Sequence, residues 1–149
     1  MHEGLQVRAL SLTRPWGPLF VVEHPLAKDI ENRGYGTKYR GPVILHNALS
    51  TSDVAYDYAF AILGLLPGQV PLGERGYFAV ADLVSVCKES LDHPNGVVCD
   101  CGPWAMPRQV HWRMRRVRRL PAVIPGRGML GLYRPPDEVV LAATTAGLL

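Results

Sequence analysis

Lys28, Glu31 and Arg33 place two cations and one carboxylate within six residues. Such a set suits a site that holds a phosphate group with its cations while the carboxylate fixes them. It also suits proton transfer, with Glu31 as the base and Lys28 stabilising negative charge. A structural alternative is an ion pair from Glu31 to Arg33 or Arg40. In a regular strand Lys28 would point away from the other two side chains, so their convergence requires a bend or bulge.

Aromatic side chains accompany these charges. Trp16 follows Pro15 at the start of a predicted short helix, where its ring either stacks on a base or packs in the core. Tyr35 and Tyr39 flank Lys38 in a glycine-rich segment. Alternating aromatic and basic groups are typical of proteins that bind single-stranded nucleic acid, and an ordinary solvated loop is the alternative.

Six arginines lie between positions 108 and 119. Alternation places one apolar set on one face of a predicted strand, namely Val110, Trp112 and Met114. The opposite face carries His111, Arg113 and Arg115. The neighbouring pair Arg115 and Arg116 shifts this phase near Val117. A row of cations suits contact with a phosphate backbone, while the alternative is an edge strand that charge protects from aggregation.

The chain of 149 residues has the size of one domain, and we expect a single domain over residues 1–149. Hydrophobic residues make up 48% and charged residues 19%, which is typical of a folded protein. The net charge is +3, and 13 of the 16 basic residues are arginine. Arginine favours nucleic-acid contact, although codon bias in a GC-rich genome gives the same excess. We see neither a signal peptide nor a membrane span and expect a cytoplasmic protein without membrane contact.

Cys87, Cys99 and Cys101 form an odd set that suits a reducing compartment. Cys99 and Cys101, with His93 and His111 nearby, suggest zinc. The C-x-C spacing differs from the usual C-x-x-C, however, and the sequence has no second cysteine pair. We therefore predict no metal and no other cofactor, and the role of the three cysteines stays open.

The hydrophobic patterns predict short strands at 9–12, 43–46, 77–87, 110–117 and 128–133. A short helix is predicted from Pro15, a longer one from Asp53 to Leu66, and a weak helix or mobile end in the tail. His46 ends one strand, where it either lines a cleft or is a hydrogen-bonded core histidine. Few helices alternate with these strands. The pattern therefore indicates an α+β fold, a small β-barrel of five to six strands with flanking short helices.

Three segments together resemble the ASCH family in order and spacing: ALSLTRPW at 9–16, KDIENR at 28–33 and YRGPVILHNA at 39–48. Lys28, Glu31 and Arg33 match the lysine, glutamate and arginine of that family's GxKxxExR motif. Leu26 stands at the motif's first glycine, so the turn before Lys28 departs from the pattern. Trp104-Ala105, His111-Trp112 and residues 128–133 resemble the family's last strands. The resemblance covers about residues 8–135 and leaves a tail at 136–149.

This resemblance implies a PUA-like barrel with a cleft between barrel and helices, in a family regarded as RNA-binding. We therefore expect the chain to bind single-stranded RNA, another nucleic acid or a modified nucleotide in a basic cleft. The expected binding residues are Trp16, Lys28, Arg33, Tyr39, Arg40, His46, Arg113 and Arg115. The sequence predicts no oligomeric state.

An enzyme is the alternative that the resemblance leaves open. One branch of the family hydrolyses acylated cytidines with a lysine, a threonine and a carboxylate, and another is associated with RNA cleavage. Glu31 stands where the first branch has its nucleophilic threonine. A ribonuclease or related hydrolase would therefore use Lys28 and Glu31 as its catalytic pair. A protein-interaction domain without a nucleic-acid ligand is the third alternative.

Overall fold

A computed structural model describes residues 6–96 and 99–149. In this part of the chain a six-stranded mixed sheet curls into a half-barrel, and three short α-helices accompany it. The strands are β1 (Arg8–Arg14), β2 (Ile30–Arg33), β3 (Gly41–Thr51), β4 (Gly76–Cys87), β5 (Val110–Ile124) and β6 (Leu132–Tyr133). The helices are α1 (Trp16–Leu19), α2 (Asp53–Leu63) and α3 (Asp137–Thr145), with a 3₁₀ turn at Pro67–Gln69. The predicted α+β class and strand number are confirmed.

The strand order in the sheet is β2-β5-β4-β3-β1-β6. Strands β1 and β3 run parallel, and the other neighbours run antiparallel. The predicted phase shift in β5 is confirmed. Asp82 pairs with Arg115 and Val80 with Arg118, so β5 carries one extra residue there. Arg116 in this bulge has a φ of 49°. The bulge lets the strand continue to Ile124 instead of ending near residue 117.

Alternation along the strands separates the core into two faces. Val43 and Leu45 of β3 belong to the cluster on one face, and Ile44 belongs to the cluster on the other. Helix α3 contributes Val139 and Ala143 to the second cluster, and all five side chains are buried. Burial of each large apolar side chain stabilises the fold by about 1.5 to 3 kcal/mol. The two-faced pattern therefore fixes the register of the sheet.

Several details differ from the sequence predictions. Strand β6 covers Leu132–Tyr133 rather than 128–133, β3 continues to Thr51, and β2 lies outside the predicted strands. Helix α2 ends at Leu63 rather than Leu66, because Gly64 takes the left-handed conformation, with a φ of 69°, and caps the helix. His111 was predicted to face solvent beside Arg113 and Arg115, but it is fully buried. The segment between β4 and β5 covers it, and its ring bonds to the backbone oxygen of Met106 in that segment. Alternation predicts the face of a residue but not what covers that face.

Within residues 6–96 and 99–149, none of the helices has the length and apolar character needed to cross a membrane.

Candidate nucleic-acid site

The curl of the sheet brings β1 against β2, although three strands lie between them in the sheet order. Arg33 of β2 donates from Nη2 to the backbone oxygen of Ser11 in β1 at 3.0 Å. A cavity of about 250 Å³ opens along this contact. Its walls are formed by Ser11, Leu12, Thr13, Trp16, Lys28, Glu31, Asn32, Arg33 and Met106. Four predicted site residues, Trp16, Lys28, Glu31 and Arg33, therefore meet in one pocket.

Lys28 is almost fully buried in the wall of this pocket, with 2% of its surface exposed. Its ammonium donates to the backbone oxygen of Ile30 and lies 3.4 Å from Oε1 of Glu31. It also lies 4.4 Å from the ring centroid of Phe20 and 5.2 Å from that of Trp16, in cation–π contact with both. Burial lowers the pKa of Lys28, and the negative charge of Glu31 opposes this effect.

Glu31 lies between the two cations. Its Oε2 is 2.9 Å from Nε of Arg33, while its Oε1 faces Lys28. Lys28 precedes the first residue of β2, so strand alternation does not fix the direction of its side chain and the three side chains can meet. The Glu31–Arg33 ion pair of the structural alternative is thus formed, and Arg40 has no part in it. With Lys28 protonated, this triad has a net charge of +1.

Trp16 begins α1 directly after β1, which places its half-buried ring beside Lys28. This ring and that of Tyr58 in α2 meet edge to face, with the ring centroids 5.7 Å apart. Contacts from α2 and Lys28 thus hold the indole in place while it lines the cavity. A fixed aromatic face beside cations is the arrangement on which a base can stack.

Asn32 fixes the wall opposite β1. Its Nδ2 donates to the backbone oxygen of Trp104 at 2.9 Å, and its Oδ1 accepts from the backbone N–H of Met106 at 2.8 Å. Both ends of the amide thus hold the segment before β5, which is how Met106 comes to line the cavity. Sequence reasoning missed Asn32 although it lies inside the KDIENR segment. It missed Ser11 and Thr13 because nothing local indicates that β1 faces β2.

Tyr39 and Arg40 lie outside the pocket. The Tyr39 hydroxyl is 2.6 Å from the backbone oxygen of Pro42 and 2.8 Å from that of Gln6. Burial raises the pKa of Tyr39. Arg40 is exposed, and its Nη1 donates to the backbone oxygens of Thr37 and Tyr39. Both side chains brace the turn before β3.

His46 is buried behind the pocket and does not line it. Its Nε2 lies 2.8 Å from the backbone oxygen of Gly126, which can only accept, so this nitrogen carries the proton. Nδ1 then accepts from the Ser11 hydroxyl at 2.6 Å. Burial lowers the pKa of His46. Of the two alternatives predicted for His46, the structure shows the hydrogen-bonded core histidine and not the cleft residue.

Arg113 and Arg115 also lie away from the pocket. Arg113 donates to Oδ1 of Asp100 at 3.0 Å and to Sγ of Cys101 at 3.1 Å. Arg115 is half-exposed, with Nη1 3.8 Å from Oδ2 of Asp29. Both cations thus have carboxylate partners on the protein itself. Neither arginine contributes to the charge around Trp16.

The rest of the arginine run is partly neutralised as well. Asp82 accepts from Arg116 at 2.7 Å and from Arg118 at 3.2 Å. Strand β2 pairs with β5 only over Val110–Arg113, so these two arginines follow the paired portion. For this segment, protection of a strand edge by charge therefore stays a valid alternative to contact with the phosphate backbone of a nucleic acid.

The sequence matches no protein-family model and no curated protein. The family resemblance therefore depends on the motif residues themselves, three of which are the Lys28, Glu31 and Arg33 triad of the pocket.

Proposed function

We propose that this chain is a nucleic-acid-binding protein of the ASCH family, with a PUA-like fold, and that one nucleotide of single-stranded RNA, or one modified nucleotide, enters the pocket. The observation that carries the proposal is the convergence of Trp16, Lys28 and Arg33 on one cavity where β1 meets β2. These three are separated by up to 17 positions in sequence and come from a helix, a loop and a strand.

The size of the cavity favours a single nucleotide. Its volume of about 250 Å³ lies just below the roughly 300 to 1,000 Å³ of pockets for drug-sized ligands. One base with part of its sugar is a ligand of that size, whereas a longer strand would have to continue over the surface. Stacking on Trp16 would contribute about 1 to 3 kcal/mol per base.

The charge of the pocket favours an anionic ligand. Burial disfavours the protonated form of Lys28, so a phosphate near the ammonium would compensate for lost solvation. Arg33 has five N–H donors, and its contacts with Ser11 and Glu31 leave others to reach a phosphate or a base. Glu31 keeps both cations in place.

The test is a titration of a labelled short single-stranded RNA at several salt concentrations. Binding should weaken with salt, with a logarithmic slope of about 0.7 for each phosphate contacted. Trp16→Ala should lower affinity by about 5- to 150-fold, the equivalent of 1 to 3 kcal/mol. Tyr35→Ala is the matched control, because Tyr35 is an aromatic residue with 51% exposure outside the pocket. A flat salt dependence, or equal losses in the two variants, would contradict the proposal.

One observation favours an RNA-directed hydrolase as the second candidate. Burial lowers the pKa of Lys28, which makes its neutral amine more accessible, and the Glu31 carboxylate lies 3.4 Å away. A lysine and a carboxylate in contact inside a cleft are a recognised pattern for acid–base catalysis. The two candidates respond differently to substitution of Glu31.

A further inference from the structure

Three cysteines and one histidine meet where β4 ends and β5 begins. Their ligand atoms all lie within 4.8 Å of one another. Cys87 ends β4 and is the register partner of His111 in β5, so strand pairing alone brings these two together. The segment between the strands returns Cys99 and Cys101 to the same place.

The dimensions of this cluster suit a tetrahedral metal centre. Zinc–sulfur bonds of about 2.3 Å place two sulfur ligands roughly 3.8 Å apart around a tetrahedral ion. Sγ of Cys99 lies 3.2 Å from Nδ1 of His111, and the largest separation in the cluster is within 4.8 Å. Small adjustments of the side chains would bring all four atoms onto one ion.

The orientation of His111 is that of a metal ligand. Its Nε2 lies 2.7 Å from the backbone oxygen of Met106, an acceptor, so Nε2 carries the proton. Nδ1 therefore presents its lone pair to the cysteines. Histidines that bind metals usually donate their other ring N–H to a carbonyl or carboxylate, which fixes the tautomer and the ring. His111 is also fully buried, so this orientation is held by packing.

Hydrogen-bond donors surround the sulfur atoms. Arg113 donates from Nη2 to Sγ of Cys101 at 3.1 Å, and the Ser90 hydroxyl lies 3.7 Å from Sγ of Cys99. Three thiolates and one neutral imidazole around Zn²⁺ have a net charge of −1, and the guanidinium of Arg113, which also pairs with Asp100, would offset part of it. A cation aimed at a sulfur atom is what a thiolate requires.

We propose that Cys87, Cys99, Cys101 and His111 bind Zn²⁺ in a closed, four-coordinate structural site. Soft thiolates with one imidazole in tetrahedral arrangement select this ion among the common divalent metals. From the sequence we expected no metal, because Cys99-x-Cys101 lacks a second cysteine pair. Cys87 and His111 supply the missing ligands from neighbouring strands, at positions that no short motif connects.

The site would anchor the segment that forms one wall of the pocket. His111 bonds to Met106, and Asn32 holds Met106 and Trp104 from the other side. Zinc would thus fix the segment between β4 and β5 at its middle, while Asn32 fixes its end. This inference does not depend on the proposed nucleic-acid function, because metal binding is measured directly.

The test uses the full chain, purified under reducing conditions from cells grown with added zinc. Elemental analysis after gel filtration should find about one zinc per chain, as expected for one closed site. Cobalt(II) added to chelator-treated protein should give the intense visible bands of tetrahedral cobalt with a thiolate charge-transfer band. Thiol reagents should react slowly with the zinc form and with all three cysteines after chelation.

Substitutions assign the ligands. Cys99→Ser and His111→Asn should each abolish the cobalt spectrum or weaken zinc binding by at least about 100-fold, more than loss of an outer-shell partner costs. His93→Gln is the matched control, because His93 lies in the same segment but outside the cluster, and it should bind zinc normally. The wild-type cobalt spectrum decides the question even if a variant fails to fold.

Three results would overturn the proposal. One is reduced wild-type protein that holds far less than one zinc per chain and gives no thiolate band with cobalt. Another is unchanged metal affinity in both ligand variants. The third is a disulfide between two of the three cysteines that survives the reducing purification in protein without zinc, found by mass spectrometry, since that result would indicate a redox pair instead.

Discussion

Three strands lie between Arg33 of β2 and Ser11 of β1 in the sheet order, yet the Arg33 guanidinium donates to the Ser11 backbone oxygen at 3.0 Å. This contact exists because the sheet curls until β2 meets β1. The same guanidinium pairs with Glu31 at 2.9 Å, so one side chain both joins the two strands and sets the charge of the pocket. Stability and the charge of the pocket are therefore coupled at Arg33.

Removal of this contact should destabilise the fold. Arg33→Ala should lower the free energy of unfolding by about 1.5 to 3 kcal/mol, the range for hydrogen bonds to charged groups. Arg33→Lys should fall between wild type and alanine, because lysine keeps the charge but loses the planar fork. Arg40→Ala, at an exposed arginine whose Nη1 bonds to backbone oxygens of its own turn, should change stability by less than about 0.5 kcal/mol. Urea unfolding measures all three, and equal values for Arg33→Ala and Arg40→Ala would contradict the role of the contact.

His46 predicts a pH dependence of stability. Burial lowers its pKa in the folded protein, so the unfolded chain binds more protons in the acid range. The contribution of His46 is complete above the unfolded value of about 6.5 and is lost as the pH falls from there through the folded value. In His46→Gln this part of the acid sensitivity should disappear.

The measurement is the urea midpoint as a function of pH, from neutral to mildly acid. Exposed His24 provides the control variant His24→Gln, which should follow the wild-type curve. If His46→Gln shows the same slope as wild type, His46 does not titrate as its surroundings predict.

Gly128 packs directly over the Ser11–His46 hydrogen bond. A Cβ atom at this position would lie 1.7 Å from Oγ of Ser11 and 2.7 Å from Nδ1 of His46. Gly128→Ala should therefore cost about 1 to 3 kcal/mol, as overpacking of a filled interior does. Gly68→Ala is the matched control, because a Cβ there meets nothing within 4 Å. The unfolding temperature is measured for both variants. Equal decreases would show that Ser11 and His46 move away from the added Cβ at position 128 without cost.

The sequence was sufficient for most of the elements, though not for β2 or the bounds of β6, and it was not sufficient for their long-range arrangement. Alternation located β4 and most of β5, and the adjacent Arg115 and Arg116 indicated the bulge, because these features depend on neighbouring residues. The contact of β1 with β2 depends on how far six strands curl. Nothing near Ser11 or Arg33 in the sequence encodes that distance.

The same limit applies to charge and burial. Composition predicted an arginine-rich surface, but the carboxylates that pair with it, such as Asp82 for Arg116 and Arg118, come from another strand. The alternation of β5 correctly places His111 on the face opposite Trp112. It does not show that the segment before β5 covers this face, so His111 was wrongly predicted to face solvent. Lys28 illustrates the opposite case, since its motif neighbours Glu31 and Arg33 are also its neighbours in space.

Substitutions of Lys28 and Glu31 separate the binding protein from the enzyme. For a protein that only binds, Lys28→Met should weaken RNA binding by about 5- to 150-fold, as for loss of one charge-assisted contact of 1 to 3 kcal/mol. Methionine keeps the packing against Phe20 and Trp16. Glu31→Gln should leave affinity unchanged or raise it, because the pocket loses its carboxylate charge while the amide oxygen still faces Lys28 and Arg33.

An enzyme would respond in the opposite way to the second substitution. Glu31→Gln should then reduce turnover by at least about 100-fold while binding persists, since the amide cannot accept the proton. RNA retention and RNA integrity are measured on the same samples of wild type and both variants, with and without added divalent metal, after circular dichroism shows that each variant is folded. Intact RNA with wild type in every condition would remove the hydrolase candidate. Cleavage that survives Glu31→Gln would show that a different group, or a contaminating nuclease, acts as the base.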